Sequence, residues 1–389
     1  LKNYKTKINM WNTHPLYILG MLCLLILLSF WLVKFKGFRL AGTPILVILL
    51  CAIAANAGLI PSGASNQPVY NGIFTYIAPL SIFILLLEVN LKSIKQAGAP
   101  MLLLFLAGAL ATMLGILIAY SLINPPTSIG PLAPAIAGMY TGTYIGGSIN
   151  FNAIALHYGV VENGELFAAT TVVDNIIGTP WIILCLLIPK WLYKIKPHKR
   201  TGISQIENSL HMTNNQQTDV ASLAMMFGIG FLAVWASNEV HARYPKIPAI
   251  LILTSIALLL AQWPAIRRVK GLHTVGLFLT LVFLGVVGTL CDVGMLMHAG
   301  NMAGVLLSFG ALAVLLHGII LFGIALLFQA DWDLAGMASL ANIGGTTTAI
   351  AGSEGLKRPD LLLPGILAGS LGNALGTYAG FLMAGWLGA

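Results

Sequence analysis

Charge is what this sequence has least of: 8% of its 389 residues are Asp, Glu, Lys or Arg, and only 12 are acidic. Water-soluble domains carry about 25% charged residues, so a water-facing globule is excluded for want of polar surface. Cysteine is scarce too. Cys23, Cys51, Cys185 and Cys291 lie within or at the edge of apolar segments without ligand spacing, which argues against a disulfide framework and a thiolate metal centre. They read as small buried hydrophobes. No HExxH motif, Walker loop, nucleophile elbow or His–carboxylate cluster occurs, and the chain is not expected to be an enzyme. A basic stripe with interleaved aromatics is missing as well, so the formal charge of +8 does not point to nucleic acid.

What the chain does have is apolar length. Hydrophobic residues make up 58% of it and the mean hydropathy is +0.88. Most runs reach the ~20 residues a helix needs to cross about 30 Å of hydrocarbon. Stretches such as Leu102 to Leu117 and Val305 to Leu327 do not alternate apolar with polar. That rules out the strands of a lipid-embedded barrel and leaves helices. The expected helices are 15–33, 42–60, 73–91, 100–122 and 165–190, then 221–238, 247–263, 273–291, 302–328 and 361–387. Gly-rich segments occupy 131–157 and 334–354. Lys2, Lys5 and Lys7 ahead of the first run imitate a signal peptide, but no small-residue cleavage site follows Val33. The first helix is therefore expected to be retained.

The chain also repeats itself. Ile145-Gly146-Gly147-Ser148 matches Ile343-Gly344-Gly345-Thr346, and Asn175 to Thr179 matches Asn373 to Thr377, both at an offset of 198 residues. Weaker matches keep the order: Pro44 with Pro248, Pro61 with Pro264, and Ala97-Gly98 with Ala299-Gly300. Equal spacing of separate motifs marks duplication. It divides the chain into a first membrane repeat at 1–193, a polar cytoplasmic linker at 194–220 and a second repeat at 221–389. Basic clusters belong in the cytoplasm. Placing Lys34/Lys36/Arg39, Lys92/Lys95, Lys190 to Arg200 and Arg267/Arg268/Lys270 there makes the two Gly-rich segments enter from opposite faces. This walk leaves Lys2, Lys5 and Lys7 outside. Only about a dozen residues flank Gly146-Gly147 on either side, too few for two crossings. A re-entrant hairpin is expected, with a broken helix that crosses fully as the alternative. The expected fold is an all-α polytopic membrane protein of two inverted repeats, each with about five transmembrane helices plus one interrupted or re-entrant helix. That is the architecture of secondary transporters, whose sites form where the interruptions meet.

Polar residues gather at these interruptions, and non-helical backbone at membrane depth must line a cavity or be buried in protein. The expected substrate-binding set is Thr143, Gly146, Gly147, Ser148, Asn150, Asn152, Gly344, Gly345 and Thr346. Ser148 and Thr346 are placed to cap the returning half-helices. No Lys or Arg falls well inside an expected span, so half-helix N-termini would have to meet an anionic substrate. The expected ion-coupling set is Asp174, Asn175, Asn342, Thr347, Asn373 and Thr377, with Na⁺ or H⁺ as the ion and no other cofactor. Asp174 lies ~9 residues into its helix, or ~14 Å along the axis. A carboxylate at that depth costs at least ~2.5–3.5 kcal/mol, which favours a cavity-facing role. Gly372 holds the matching place in the second half, so the site is expected to be asymmetric. Elsewhere the plainer readings are preferred. Gly365, Gly369, Gly372 and Gly376 read as close packing, Glu88 and Asp292 as interfacial, Glu354 as a surface partner of Lys357 and Arg358, and Glu162 and Glu165 as solvated. His317 reads as a packed or singly hydrogen-bonded histidine rather than a proton relay.

The stretches Gly142 to Asn150, Val173 to Pro180, Ala341 to Thr348 and Gly369 to Thr377 resemble those of the YjcL-like membrane proteins, a family of unknown function numbered 819. The likeness spans essentially the whole chain. That family is similar to the superfamily of cation:proton antiporters and anion transporters. The resemblance implies a core bundle holding two crossed, interrupted helices and a separate scaffold bundle, and it makes Asp174-Asn175 look like the acidic-Asn ion-binding pair of antiporters. The expected function is secondary active transport, Na⁺- or H⁺-coupled symport of a small organic anion such as a carboxylate, amino acid or short peptide, in the cytoplasmic (inner) membrane. A cation/proton antiporter is the nearest alternative, and a receptor or scaffold the one of another class. Expected partners are the small-molecule substrate and the lipid bilayer, with a homodimer left open.

Overall fold

The structure, a computed structural model, describes residues 12–35, 38, 42–62, 67–198, 218–291 and 300–389. Among them all regular elements are helical. The first half holds α1 (Pro15–Leu32), α2 (Gly42–Asn56), α3 (Pro68–Leu86), α4 (Ala99–Ile123), α5 (Ala133–Gly146), α6 (Ser148–His157) and α7 (Gly164–Ile195). The second holds α8 (Val220–Arg243), α9 (Ala249–Ala261), α10 (Leu272–Thr289), α11 (Gly300–Leu327), α12 (Trp332–Leu356) and α13 (Leu362–Trp386). Among the described residues eight spans are long and apolar enough to cross a membrane, with Gly42–Asn56 and Ala249–Leu260 as shorter apolar helices. This is a multi-pass membrane protein. Lys36, Arg39, Asp292, Ala299 and linker residues 199–217 lie outside the described residues, as do the side chains of Lys92, Arg267, Thr347 and Glu354.

Helix boundaries differ from the sequence reading where side chains intervene. α2 stops at Asn56, whose Nδ2 donates to the Ala52 and Cys291 carbonyls at 2.8 and 2.9 Å. α3 begins five residues earlier than expected because Pro68 suits the first turn of a helix, where its missing N–H costs nothing. Within α3, Ile73–Ile77 widens into a π turn just before Pro79, the kind of local insertion that absorbs a helical proline. The chain then turns through a 3₁₀ segment, Leu91–Ala97, capped by Asn90.

Both Gly-rich segments fold back on themselves. A Cβ built on Gly142 would lie 2.7 Å from Ile154 Cδ1 and 3.1 Å from Asn150 Cβ. In one continuous helix, residues 142 and 154 would stand ~18 Å apart. α12 is interrupted at Gly345, and Thr348 Oγ1 donates back to the Leu340 carbonyl at 2.6 Å. These are re-entrant hairpins: hairpin 1 (α5–α6) and hairpin 2 (α12). The crossed interrupted helices that the family resemblance implied are not what the chain forms. Two crossings would have needed longer arms.

α13 runs past both hairpins. Near its C-terminal end Gly380 meets the Gly138 carbonyl of hairpin 1 at 2.6 Å from its Cβ position. Towards its N-terminal end Gly365 meets Met337 and Ala349 of hairpin 2 at 2.7 and 2.9 Å. The open ends of the hairpins thus lie at opposite ends of α13, and their tips meet between. Every residue of α5 is buried, which is how a polar, glycine-rich segment persists at membrane depth.

The helices sort into two bundles. α1, α2, α3, α8, α9 and α10 pack chiefly on one another, while α4, α7, α11, α13 and the hairpins form the second bundle. The outer leucines of α1, such as Leu16, Leu24 and Leu27, are exposed, as lipid-facing positions should be. The cleft between the bundles passes the hairpin tips.

Candidate binding site at the hairpin tips

Each tip is a glycine that must be a glycine. Gly147 sits at φ 87°, ψ −177° and Gly345 at φ 66°, ψ −149°, backbone conformations that side chains strongly disfavour. The two are matched at the 198-residue offset. A Cβ on Gly345 would lie 3.6 Å from the Gly146 carbonyl oxygen and 3.8 Å from Asn373 Oδ1. Asn373 Oδ1 is 3.9 Å from the same point on Gly147, so this amide stands between the tips.

Capping differs from the sequence reading. Gly147, not Ser148, occupies the cap position of α6, and no side chain caps it. Ser148 is the first residue of the returning helix; the Asn150 N–H donates to the Gly147 carbonyl at 3.1 Å, and the Ser148 and Ile149 amides precede the first intrahelical bond. In hairpin 2, Thr348 rather than Thr346 ties the turn, its hydroxyl donating to the Leu340 carbonyl at 2.6 Å with the Gly345 carbonyl 3.0 Å away.

Hydrogen bonding then divides the residues expected at the site. Asn150 Oδ1 accepts from Thr377 Oγ1 at 2.6 Å, and Asn342 Nδ2 donates to the Phe105 and Ala338 carbonyls at 3.2 and 2.8 Å. These three hold the hairpins to their neighbours. Asn175 Nδ2 donates one hydrogen to the Thr171 carbonyl at 2.9 Å, which leaves its other N–H and its oxygen. By contrast, among the described residues Thr143, Ser148, Asn152, Thr346 and Asn373 make no side-chain hydrogen bond to protein, and all five line a cavity. Buried polar groups are normally satisfied, and this concentration of open ones marks a place for a ligand or water. Asp174 faces the same space beside the buried Tyr144 phenol.

Two cavities meet at Asp174. The larger, of about 270 Å³, lies between the bundles and is lined by both tips, Asn152, Thr171, Asp174, Asn175 and Asn373 on one side. Pro44, Leu85, Glu88, His273, Leu277, Thr280 and Leu284 of the first bundle form the other wall. The smaller, of about 160 Å³, lies behind the tips and is rich in oxygen donors from Thr143, Ser148, Asp174, Asn175 and Thr179. Glu88 and His273 were not expected here. They stand at adjoining helix ends, Glu88 Oε2 being 3.2 Å from His273 Nδ1. The basic residues that follow Glu88 and precede His273 could have indicated that both lie on one face of the membrane.

Behind the tips, His317 joins both hairpins to α4 and α7. Its Nδ1 lies 3.0 Å from the Gly108 carbonyl, which can only accept, and 2.9 Å from Thr112 Oγ1. That assigns the proton to Nδ1 and leaves Nε2 to accept from Ser339 Oγ at 2.9 Å. Ser339 in turn accepts from the Trp181 indole at 3.0 Å, and Thr112 donates to the Tyr144 carbonyl at 3.1 Å. Both imidazole nitrogens are satisfied in the neutral form, so His317 holds more than the single bond expected of it.

A second anchor lies at the open end of hairpin 2. Arg358 bonds Asp331, Asp333 and Asp360 at 3.1, 3.2 and 2.7 Å, with its side chain 10% exposed. Tyr193 at the end of α7 donates to Asp331 at 2.7 Å. The start of the linker is docked there too: Trp332 donates its indole N–H to the Lys196 carbonyl and stacks on His198 at 4.2 Å. Arg358 therefore belongs to this buried cluster; the expected pairing with Glu354 falls on a side chain outside the described residues.

Residues 18–389 match the family described as "Protein of unknown function (DUF819)". The chain is also 26% identical over 377 residues to a protein described as "Uncharacterized membrane protein YjcL" from Bacillus subtilis (strain 168), covering 91% of each. With a family match that takes in both hairpins and nearly the whole chain, this chain belongs to the DUF819 family of membrane proteins.

Proposed function

We propose that the protein is a secondary active transporter of the cytoplasmic membrane, coupled to Na⁺ or H⁺ and carrying a small organic anion. The observation that carries this reading is the meeting of two re-entrant hairpin tips beside Asp174, in a cavity walled by both bundles. Unpartnered amides and hydroxyls at that depth are what a transported solute and its ion require, and transporter sites form at such interrupted segments. In this reading the halves are inverted repeats. The same six-part order in each half, the matched Gly147 and Gly345, and the opposed open ends of the hairpins support it. The hairpin bundle would then move against the other, exposing the cavity to each face in turn. Asp174, Asn175, Thr143 and Thr179 around the smaller cavity supply oxygen ligands suited to Na⁺, and the first-turn amides at Ser148 and Thr346 meet the anion.

One observation favours a cation/proton antiporter instead: among described lining residues the cavity has Asp174 and Glu88 but no Lys or Arg. Proteoliposomes decide between the two. Accumulation of an organic anion driven by an imposed Na⁺ or proton gradient supports the symporter. A Na⁺-driven pH change without added organic solute establishes the antiporter.

A further inference from the structure

Glu88 and His273 form part of the cavity wall on the side opposite the tips, and nothing in the transport reading yet uses them. Glu88 follows the last turn of α3 and His273 opens α10. The imidazole Nδ1–H donates to Glu88 Oε2 at 3.2 Å, and Glu88 lines the cavity. Asp174 stands across the space on the other bundle. A coupling cation at Asp174 would neutralise that carboxylate and leave Glu88 as the charge to be matched. An anion with no positive group would then have to sit beside that carboxylate, which is 38% exposed and only partly balanced by His273, a like-charge contact that water screens in part.

The tip side has the opposite character. It offers the Ser148 and Ile149 amides at the start of α6 and the side chain of Asn152, which is 8% exposed, has no hydrogen-bond partner and lines the same cavity. One wall therefore suits a carboxylate and the other an ammonium group, within about 270 Å³, the low end of small-molecule sites.

We propose that Glu88, oriented by His273, recognises an amino group, so that the solute is a small zwitterion: an amino acid or short peptide with its carboxylate at the tips. This inference rests on the transport reading and narrows its substrate class. The test uses the full chain in nanodiscs and matched probes that differ by the amine alone: L-glutamate against glutarate, L-alanine against propionate, and L-alanyl-L-glutamate against its N-acetyl form. Affinities are read from thermal shifts with and without Na⁺ at two pH values. In the wild type at least one amine-bearing probe should bind at least ~30-fold more tightly than its partner, as sites built to bond a polar group reject analogues without it. Glu88→Gln should reduce that ratio below ~3-fold, and Glu88→Asp should keep part of it, which separates loss of charge from misfolding. Equal or tighter binding of the amine-free partners overturns the inference and leaves the transport reading standing. An amine preference that survives both Glu88→Gln and His273→Asn overturns the assignment to Glu88. Failure of every probe, in every ionic condition, overturns the inference and counts against an organic solute as well.

Discussion

α7 and α13 carry the same motif, yet one presents chemistry and the other presents space. Asp174-Asn175, Gly178 and Thr179 on α7 correspond to Gly372-Asn373, Gly376 and Thr377 on α13. A Cβ on Gly372 would lie 3.0 Å from Gly146 Cα, and one on Gly376 would lie 2.7 Å from Asn150 Cγ. Gly178 has nothing within 4 Å. The reason is position: α13 runs past both hairpins, so its facing residues must be small, whereas α7 reaches the tips beside a cavity and has room for a carboxylate. The segment leading into α13 is also the one with the charged anchor; Arg358 stands where the first half has Val160. Of two matching motifs, one packs against the hairpins and the other lines a cavity.

The largest expected effect comes from cutting that anchor. Arg358→Met leaves Asp331, Asp333 and Asp360 without their cation, and removing one side of a buried ionic cluster costs about 3–5 kcal/mol. Thermal unfolding of the purified chain and protease sensitivity between α12 and α13 measure it. Next come the glycines, compared in pairs. Gly376→Ala should destabilise by about 1–3 kcal/mol through overpacking, whereas Gly178→Ala should stay within about 0.5 kcal/mol. Equal effects in the two thermal melts would mean that the two helices are not packed as differently as described.

Smallest is a change outside the membrane. Asp219 accepts from the Ser222 amide at 2.7 Å, and these hydrogen bonds to Ser222 hold its carboxyl below the ordinary carboxylate range. A depressed folded-state pKa gives stability that is present above the unfolded value and lost as pH falls through the folded one. Asp219→Ala should therefore lower stability slightly at neutral pH, and the difference from wild type should vanish under acidic conditions, as read by pH-dependent melts.

Much of this fold could be read from the chain because lipid imposes one requirement at a time. Apolar run length located the eight spanning helices among the described residues, and the short arms around Gly146-Gly147 called for a hairpin, with a full crossing as the alternative. Asp174 stood out because a carboxylate at that depth needs a reason. Other features depend on partners distant in sequence. Glu88 and His273 are 185 residues apart, and neither is unusual alone at a helix end. Asn150 and Asn342 looked as available as Asn152, but only folding shows that Thr377 and the Phe105 carbonyl occupy them. Ser148 fails as a cap because the positive φ needed at the tip shifts that position onto Gly147.

The most direct test of Asp174 as the coupling residue is a cation titration of thermal stability. Melts of the wild type and Asp174→Asn would be recorded against Na⁺ concentration at several pH values, since a ligand that binds only the folded state raises Tm by mass action. The wild type should gain stability with rising Na⁺ or, for proton coupling, show a pH dependence of Tm that the variant lacks, and Asp174→Asn should lose whichever response is present. A variant that keeps the full wild-type response, or a wild type indifferent to both ions, would contradict it.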